Sequence, residues 1–127
     1  MWVCSLPARY DYAEFARELA NAAAKLQALP LHTRVAALLD LSAVHSSDPR
    51  RRQAAGQFLQ DNRTSIVEHT VAWGFVIPNP LLRGAVTAIG WIGSFPVPIR
   101  MFAERYECGH WLDQQLAIEE LGRVQRT

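Results

Sequence analysis

The hydrophobic positions along this chain form short apolar runs that alternate with longer segments of helical periodicity. Four apolar runs predict strands, at residues 2–6, 35–41, 71–77 and 99–103. The run at 71–77, Val-Ala-Trp-Gly-Phe-Val-Ile, has no polar alternation and is rich in β-branched and aromatic residues. This pattern is typical of a strand covered on both faces, as in a parallel sheet between layers of helices. We therefore predict that the fold is organised around this strand.

The segments that follow the four runs have apolar residues at three- to four-residue spacing. They predict helices at about residues 12–29, 49–68, 80–92 and 104–122. Asp11, Asp48 and Asn79 each precede one of the first three helices, where a side-chain oxygen can accept an unpaired N–H of the first turn. Pro49 and Pro80 follow two of these caps at the first helical position, where a missing N–H costs little.

The predicted third helix is apolar almost all round, which indicates deep packing. Gly84 and Gly90 each weaken a helix by about 1 kcal/mol relative to alanine, so we interpret them as points of close approach to the sheet. The preceding turn, Pro78-Asn79-Pro80, divides the apolar region into pieces shorter than the about 20 residues that a membrane-spanning helix needs. We therefore predict no integral membrane segment.

A strand followed by a helix, repeated four times, predicts an α/β fold in layers. The sheet should be mostly parallel, with four or more strands, flanking helices and right-handed crossovers. The chain of 127 residues is long enough for one domain with a substantial core. We assign residues 1–122 to this domain and residues 123–127 to a polar C-terminal tail after Gly122.

The overall charge and the cysteine content exclude several classes of protein. A formal net charge of +1 gives no bulk attraction to nucleic acid, so no nucleic-acid partner is predicted. Cys4 and Cys108 are too few for a disulfide framework, which favours the reducing cytoplasm. Pro7 and Arg9 end the first apolar run at once, so it does not predict a signal peptide. Four tryptophans and the long apolar stretch at 71–91 would suit a homo-oligomer.

The candidate binding surface lies at the carboxyl ends of the strands, where open α/β sheets usually bind ligands. Two turns, at residues 40–48 and 78–83, should share this edge with residues 103–105. The helix N-termini at Asp48 and Asn79 should point toward it, and they favour anions. Arg50 is the first of three consecutive arginines, which belong either to a solvated helix face, where they could pair with Asp48 or other acidic residues, or to a contact with an anion or an acidic partner. Arg83 either pairs with a carboxylate such as Asp40 or presents a charge to a partner.

Residue types used in catalysis are present, but no motif gathers them. The turn after the second strand contains the residue types of a nucleophile–base–acid set, namely Asp40, Ser42, His45, Ser46 and Ser47, yet the chain has no Gly-x-Ser-x-Gly turn. Cys108 and His110 form one pair of ligand types, which cannot make a four-ligand zinc site without distant partners. No glycine-rich phosphate loop is present. We therefore predict a protein that is not an enzyme and needs no metal or cofactor.

The order of these motifs resembles the SpoIIAA-like family, which belongs to the wider STAS group. The resemblance covers nearly the whole chain, and its most specific part is residues 78–84, Pro-Asn-Pro-Leu-Leu-Arg-Gly. The Leu-Leu-Asp-Leu-Ser stretch at 38–42, the arginine-rich helix start at 49–52 and the pairs at 102–103 and 111–112 agree with it.

The resemblance implies a small STAS-like switch protein without catalysis, which binds a partner kinase through a surface that includes a phosphorylatable serine after a central strand. Ser46 and Ser47 would be the nearest phosphorylation sites. The chain departs from the family pattern here, since Asp48 and Pro49 follow and there is no Asp-Ser-Ser-Gly sequence. A phosphate beside Asp48 would meet like-charge repulsion, although the helix N-terminus would favour it.

The sequence thus predicts a non-catalytic regulatory module that binds a protein partner. SpoIIAA-like domains also resemble the CRAL-TRIO lipid-binding fold, which implies an alternative: binding or carriage of a small apolar ligand or lipid. The cavity for such a ligand would lie under the third helix, against Leu82, Val86, Ile89 and Trp91. The candidate binding residues are Ser42, His45, Ser46, Ser47, Asp48, Arg50, Asn79 and Arg83.

Overall fold

The computed structural model describes residues 2–5, 11–44 and 48–126, which form a parallel sheet with helices on both faces. The elements in chain order are β1 (Trp2–Ser5), α1 (Tyr12–Ala28), β2 (Val35–Asp40), α2 (Pro49–Asp61), α3 (Arg63–His69), β3 (Thr70–Val76), α4 (Pro80–Gly93), β4 (Ile99–Phe102) and α5 (Arg105–Arg126). The predicted alternation of strands and helices is confirmed.

The four strands are all parallel and are adjacent in the order β1-β2-β3-β4. The register places Leu39 of β2 between Cys4 of β1 and Phe75 of β3. Because side chains alternate along a strand, each such row points to one face of the sheet. The arrangement confirms the predicted layered α/β fold with a mostly parallel, four-stranded sheet.

Two separate cores cover the two faces of the sheet. The first core lies between the four helices α1, α2, α3 and α4 and alternate residues of β2 and β3. Its members include Leu26, Leu59, Ile66, Val86, Ala37, Trp73 and Phe75. The second joins α5 with the remaining alternate residues: Ala36, Leu38, Ala72, Val76, Cys108 and Leu112. β3 is therefore covered on both faces, as its unbroken apolar run predicted, and all its residues except Val71 are buried.

Gly74 allows α5 to lie close against the sheet. A Cβ at this position would overlap the Sγ of Cys108 and would come within 3.2 Å of the Leu112 side chain. The missing side chain therefore makes room for the helix, and Cys108 and Leu112 are both fully buried as a result. β1 is different, because it is an edge strand whose second face, with Val3 and Ser5, is exposed.

Two predicted helix boundaries are wrong. The helix predicted at 49–68 is divided at Asn62, whose φ of −112° and ψ of 15° are not helical. Its Nδ2 donates a hydrogen bond to the Phe58 carbonyl oxygen at 3.0 Å, a local bond of the kind that competes with helix continuation. At the other boundary, α5 continues to Arg126, so Gly122 does not end the last helix. One glycine weakens a helix by about 1 kcal/mol without terminating it.

α4 is packed less deeply than its composition predicted. Leu82 and Val86 are buried, but Leu81 is 84% exposed and Trp91 is 81% exposed. The interpretation of its glycines is also wrong: Gly84 faces open space, and Gly90 lies against the ring of Phe95 and not against the sheet. Protein covers α4 on one side only, so an apolar residue on the far side meets solvent.

The membrane prediction concerned the apolar region that becomes β3 and α4. A loop at residues 77–79 separates the two elements. Across the part of the chain that the structure describes, no helix combines the length and the hydropathy needed to span a membrane.

Candidate functional site

A cavity of about 260 Å³ lies between the sheet and the helices α1, α2 and α4. Its floor is formed by side chains of β1, β2 and β3: Trp2, Cys4, Ala37, Leu39, Trp73 and Phe75. Its walls include apolar side chains of the three helices: Phe15, Leu19, Phe58, Leu82, Val86 and Ile89. The interior is therefore almost entirely apolar.

Small side chains keep this space open. Ala22 of α1, Ala55 of α2 and Ala85 of α4 all line it, and Ala37 lies in its floor. Closely packed interiors have few voids larger than a water molecule, because large and small side chains normally interdigitate. Here one alanine from each of three helices and one from the sheet meet at the same place, and no large side chain fills the gap.

Aromatic rings of the floor and of the adjoining wall pack together at one side of the cavity. The Phe95 ring, from the loop after α4, lies 6.4 Å from Trp73 and 5.9 Å from Phe75 between ring centroids, in edge-to-face geometry. The Trp73 Nε1 donates a hydrogen bond to the Thr70 Oγ1 at 3.1 Å. Since the polar atom of Trp73 is bonded elsewhere, the wall offers an apolar surface to an occupant.

Charged side chains line the cavity at its solvent side. Glu18 and Lys25 come from α1 and are exposed, whereas Arg51 and Arg52 come from the first turn of α2 and are half-buried. We refer to Arg51 and Arg52 as the basic rim. The Nε of Arg51 is 3.2 Å from the Oδ2 of Asp48. Arg52 has no ion pair within the described residues.

Cys4 places a thiol in the floor of the cavity. Partial burial raises the pKa of this thiol, the negative charge of Glu18 raises it further, and Lys25 opposes the rise. The group is therefore a protonated thiol at neutral pH, and a protonated thiol is a weak nucleophile. Cys4 contributes shape and polarizability to the cavity, and no covalent chemistry is assigned to it.

A polar network surrounds Asp40 at the carboxyl edge, which we define as the turns at residues 41–44 and 77–79. Its Oδ1 accepts hydrogen bonds from the backbone N–H of Ser42 at 3.0 Å and from the Ser42 Oγ at 2.5 Å. Its Oδ2 is 3.7 Å from an Nη of Arg105. Partial burial acts to raise the pKa of Asp40, but the Ser42 hydrogen bonds and the Arg105 charge outweigh it and hold this pKa below its usual value.

Arg83 does not pair with Asp40, although the sequence allowed that pairing. The Nε of Arg83 donates a hydrogen bond to the carbonyl oxygen of Ile77 at 2.8 Å, just after the end of β3. Arg105 of α5 takes the place beside Asp40. Asn79 caps α4 as predicted, since its Oδ1 accepts the backbone N–H of Leu81 at 2.9 Å. Arg83 and Asn79 thus both have structural bonds at this edge.

The consecutive arginines at 50–52 have three different environments. The guanidinium of Arg50 stacks over the Tyr12 ring at 3.6 Å from its centroid, so it joins α2 to the start of α1. Arg51 pairs with Asp48, whose Oδ1 also caps α2 through the backbone N–H of Arg51 at 2.8 Å. Arg52 lines the cavity. The solvated-face interpretation allowed the Arg51–Asp48 pair, whereas the contact of Arg50 with Tyr12 and that of Arg52 with the cavity were not predicted.

Of the predicted site residues that the structure describes, Ser42 and Asn79 are brought to one edge of the sheet but not into one pocket. Ser42 follows β2 and Asn79 follows β3, and the pairing of Asp40 with Val76 in the sheet places the two turns side by side. His45, Ser46 and Ser47 lie outside the described residues. Over those that are described, no group of three or more histidine, cysteine or acidic side chains is placed to hold a metal ion.

The cavity was predicted only in part from the sequence. Leu82, Val86 and Ile89 were expected to line it and do so, whereas Trp91 was also expected to line it but is exposed to solvent. The contributions of β1, α1 and α2 were not predicted. The alanine-rich stretch at residues 20–24 was the available signal, because small residues on the inner face of a helix leave space against a sheet.

Comparisons with known proteins do not assign the chain to a family. No family model matches it, and no curated protein or solved structure is significantly similar to it. The resemblance to the SpoIIAA-like family therefore stays a prediction.

Proposed function

We propose that this protein binds a small apolar ligand in the cavity between α1, α2, α4 and the sheet. The observation that supports the proposal is the cavity itself, about 260 Å³ of space with almost entirely apolar walls. Packed interiors leave few voids larger than a water molecule, so a space of this size favours an occupant. Binding or carriage of this kind involves no catalytic step and no cofactor.

The size of the cavity indicates the size of the ligand. Its volume is slightly below the about 300 Å³ at which pockets for drug-sized ligands begin. A medium-length alkyl chain or a single aromatic ring suits such a space. Each methylene removed from water contributes about 0.8 kcal/mol, which corresponds to about a fourfold change in affinity. Affinity should therefore rise with chain length until the cavity is full.

Native mass spectrometry and a chain-length comparison test this proposal. We expect purified protein to carry a reproducible small adduct, and we expect ligand-free protein to bind 1-octanol roughly fifteenfold more tightly than 1-hexanol. Tryptophan fluorescence can report the binding, because Trp2 and Trp73 line the cavity. A bare protein mass, together with no detectable binding of 1-octanol, would contradict the proposal.

A substitution that fills the cavity gives a second test. Ala22→Phe places a ring where α1 lines the space, so it should abolish both the adduct and the binding of 1-octanol. Ala24→Phe is the matched control, since Ala24 is exposed on the same helix and does not line the cavity. If both variants bind 1-octanol as the wild type does, the ligand occupies another place.

A protein-interaction module at the carboxyl edge is a second candidate function, and it corresponds to the STAS-like regulatory role that the resemblance implies. The exposed apolar side chain of Leu81 at the start of α4 supports it. Pro78, Pro80 and Ser42 are also exposed at or beside this edge. A partner that covers Leu81 would remove apolar surface from water, which favours association.

A pair of charge substitutions on α4 tests the interaction surface. In a pull-down from the source cells, Leu81→Glu should fail to capture a partner that both the wild type and Trp91→Glu retain. The two positions are matched, because Leu81 is 84% exposed and Trp91 is 81% exposed on the same helix. Capture of the same proteins by all three versions would count against the carboxyl edge.

A further inference from the structure

The charges that line the cavity are mostly positive. Glu18 and Lys25 lie on α1 at an interval of two helical turns and have opposite signs, so together they add no net charge. The remaining two charged lining residues form the basic rim, Arg51 and Arg52. Asp48 neutralises Arg51 at 3.2 Å, which leaves the charge of Arg52 unbalanced among the described residues.

The basic rim lies where the cavity approaches the carboxyl end of β2. Leu41 and Val44, from the turn after β2, line the cavity together with the first turn of α2. Ligands of open α/β sheets usually bind at this end of the strands, and the partial positive charge of a helix N-terminus adds to that of Arg52. The same cavity thus has an apolar interior and a cationic end.

Resting on the function proposed above, we propose that the ligand is a single-chain amphiphile with an anionic head, either a carboxylate or a phosphate monoester. Its chain fills the apolar interior, and its head accepts hydrogen bonds from the Arg52 guanidinium. A guanidinium donates to carboxylate and phosphate oxygens in a planar, bidentate geometry. Half-burial of Arg52 reduces screening by water, which strengthens the pairing.

Titrations with compounds that share one chain and differ in the head group test the proposal on the wild-type protein. Isothermal titration calorimetry would compare octanoate, octyl phosphate, 1-octanol and octyltrimethylammonium, each below its micelle concentration. We expect the two anions to bind about tenfold more tightly than 1-octanol, since a charge-assisted hydrogen bond replaces a neutral contact. Octyltrimethylammonium should bind more weakly than 1-octanol.

A charge-removing variant locates the head group. Arg52→Gln should lower the affinity for octanoate and octyl phosphate to that of 1-octanol and should leave the affinity for 1-octanol unchanged. Arg63→Gln is the matched control, because Arg63 is exposed in the first turn of α3 and does not line the cavity. It should bind all four compounds as the wild type does, and both variants should keep the melting temperature of the wild type.

The outcomes separate this inference from the proposed function. Equal affinities for octanoate, octyl phosphate and 1-octanol would overturn the anionic head and leave the apolar cavity as the binding site. Failure of all four octyl compounds to bind would overturn both proposals. Binding of acetate or inorganic phosphate as tightly as the octyl compounds would also overturn the inference, because the chain would then contribute nothing.

Discussion

At the scale of single residues, small side chains set the distances between the layers. Gly74 lets α5 contact the sheet so closely that Cys108 is fully buried against it. On the opposite face Ala22, Ala37 and Ala85 also reduce the volume of side chains, but there the helices do not close over the gap and a cavity remains. Small side chains therefore permit close packing on one face of the sheet and leave an open space on the other.

The two cysteines should differ sharply in reactivity, which gives a prediction at this scale. Burial and the negative charge of Asp40 raise the pKa of Cys108 to about 11, although the positive charge of Arg105 opposes the rise. The Cys108 side chain is fully buried. Cys4 is half-buried and lines the cavity. We expect iodoacetamide to modify Cys4 in the folded protein, faster at about pH 9 than at about pH 7, and to leave Cys108 unmodified.

Mass spectrometry of tryptic peptides would measure both sites after alkylation. Protein unfolded in guanidinium chloride is the control, and it should be modified at both cysteines. Bound 1-octanol should slow the modification of Cys4, because the reagent and the chain compete for one space. Equal rates at the two cysteines in folded protein would contradict the assigned burial.

At the scale of elements, three helices begin with the same feature, a side-chain N-cap. Asp11, Asp48 and Asn79 each accept a backbone N–H of the first turn, at 2.8, 2.8 and 2.9 Å respectively. These bonds join residues two or three positions apart in the chain, so they could be predicted from the sequence alone. The division between α2 and α3 was not predicted, because it depends on the side chain of Asn62 bonding back to Phe58 in a buried position.

Removal of the α4 cap should destabilise the protein. Asn79→Ala removes the oxygen that accepts the Leu81 N–H, and we expect it to lower the free energy of unfolding by about 1 kcal/mol. Asn79→Asp keeps an acceptor at the positive end of the helix dipole and should be close to the wild type. Urea unfolding followed by circular dichroism would measure both. An aspartate variant as unstable as the alanine variant would show that the cap contributes little.

At the scale of the whole molecule, Asp40 joins the end of β2 to the start of α5. Its carboxylate contacts Ser42 and Arg105, and these contacts hold its pKa below the usual value. A carboxyl group with a lowered pKa in the folded state stabilises the fold fully above its unfolded pKa, about 3.9. That stabilisation is lost as the pH falls through the lower, folded pKa.

This linkage predicts how an Asp40→Asn variant responds to acid. At about pH 7 we expect the variant to be less stable than the wild type by about 1 kcal/mol, because Arg105 is more than half exposed and its pairing is screened. The difference should shrink as the pH falls below about 4, where the carboxyl of the unfolded wild-type chain begins to be protonated, and it should vanish below the lower, folded pKa. Urea unfolding over a series of pH values would measure it, and a difference that is independent of pH would contradict the role of the charge.

The sequence by itself determined the class of the fold and most of its elements. Apolar runs such as 71–77 identified the strands, and the caps at Asp48 and Asn79 identified helix starts, because these signals act over a few neighbouring residues. The side-by-side position of the two turns also followed, since parallel strands end at a common edge. Ser42 and Asn79 therefore lie at that edge, in the turns after β2 and β3.

Only the tertiary structure decided where the cavity lies and which charged side chains pair. The choice of Arg105 as the partner of Asp40 joins residues 65 positions apart, and no local pattern distinguishes it from Arg83. The cavity arises from alanines on three helices and one strand, and from the distance at which those helices pack. Periodicity predicts which face of a helix is buried, but a void depends on the spacing between elements that are distant in sequence. That spacing placed Arg52 beside an apolar space, where the sequence alone left open a solvated helix face or a contact with an anion or an acidic partner.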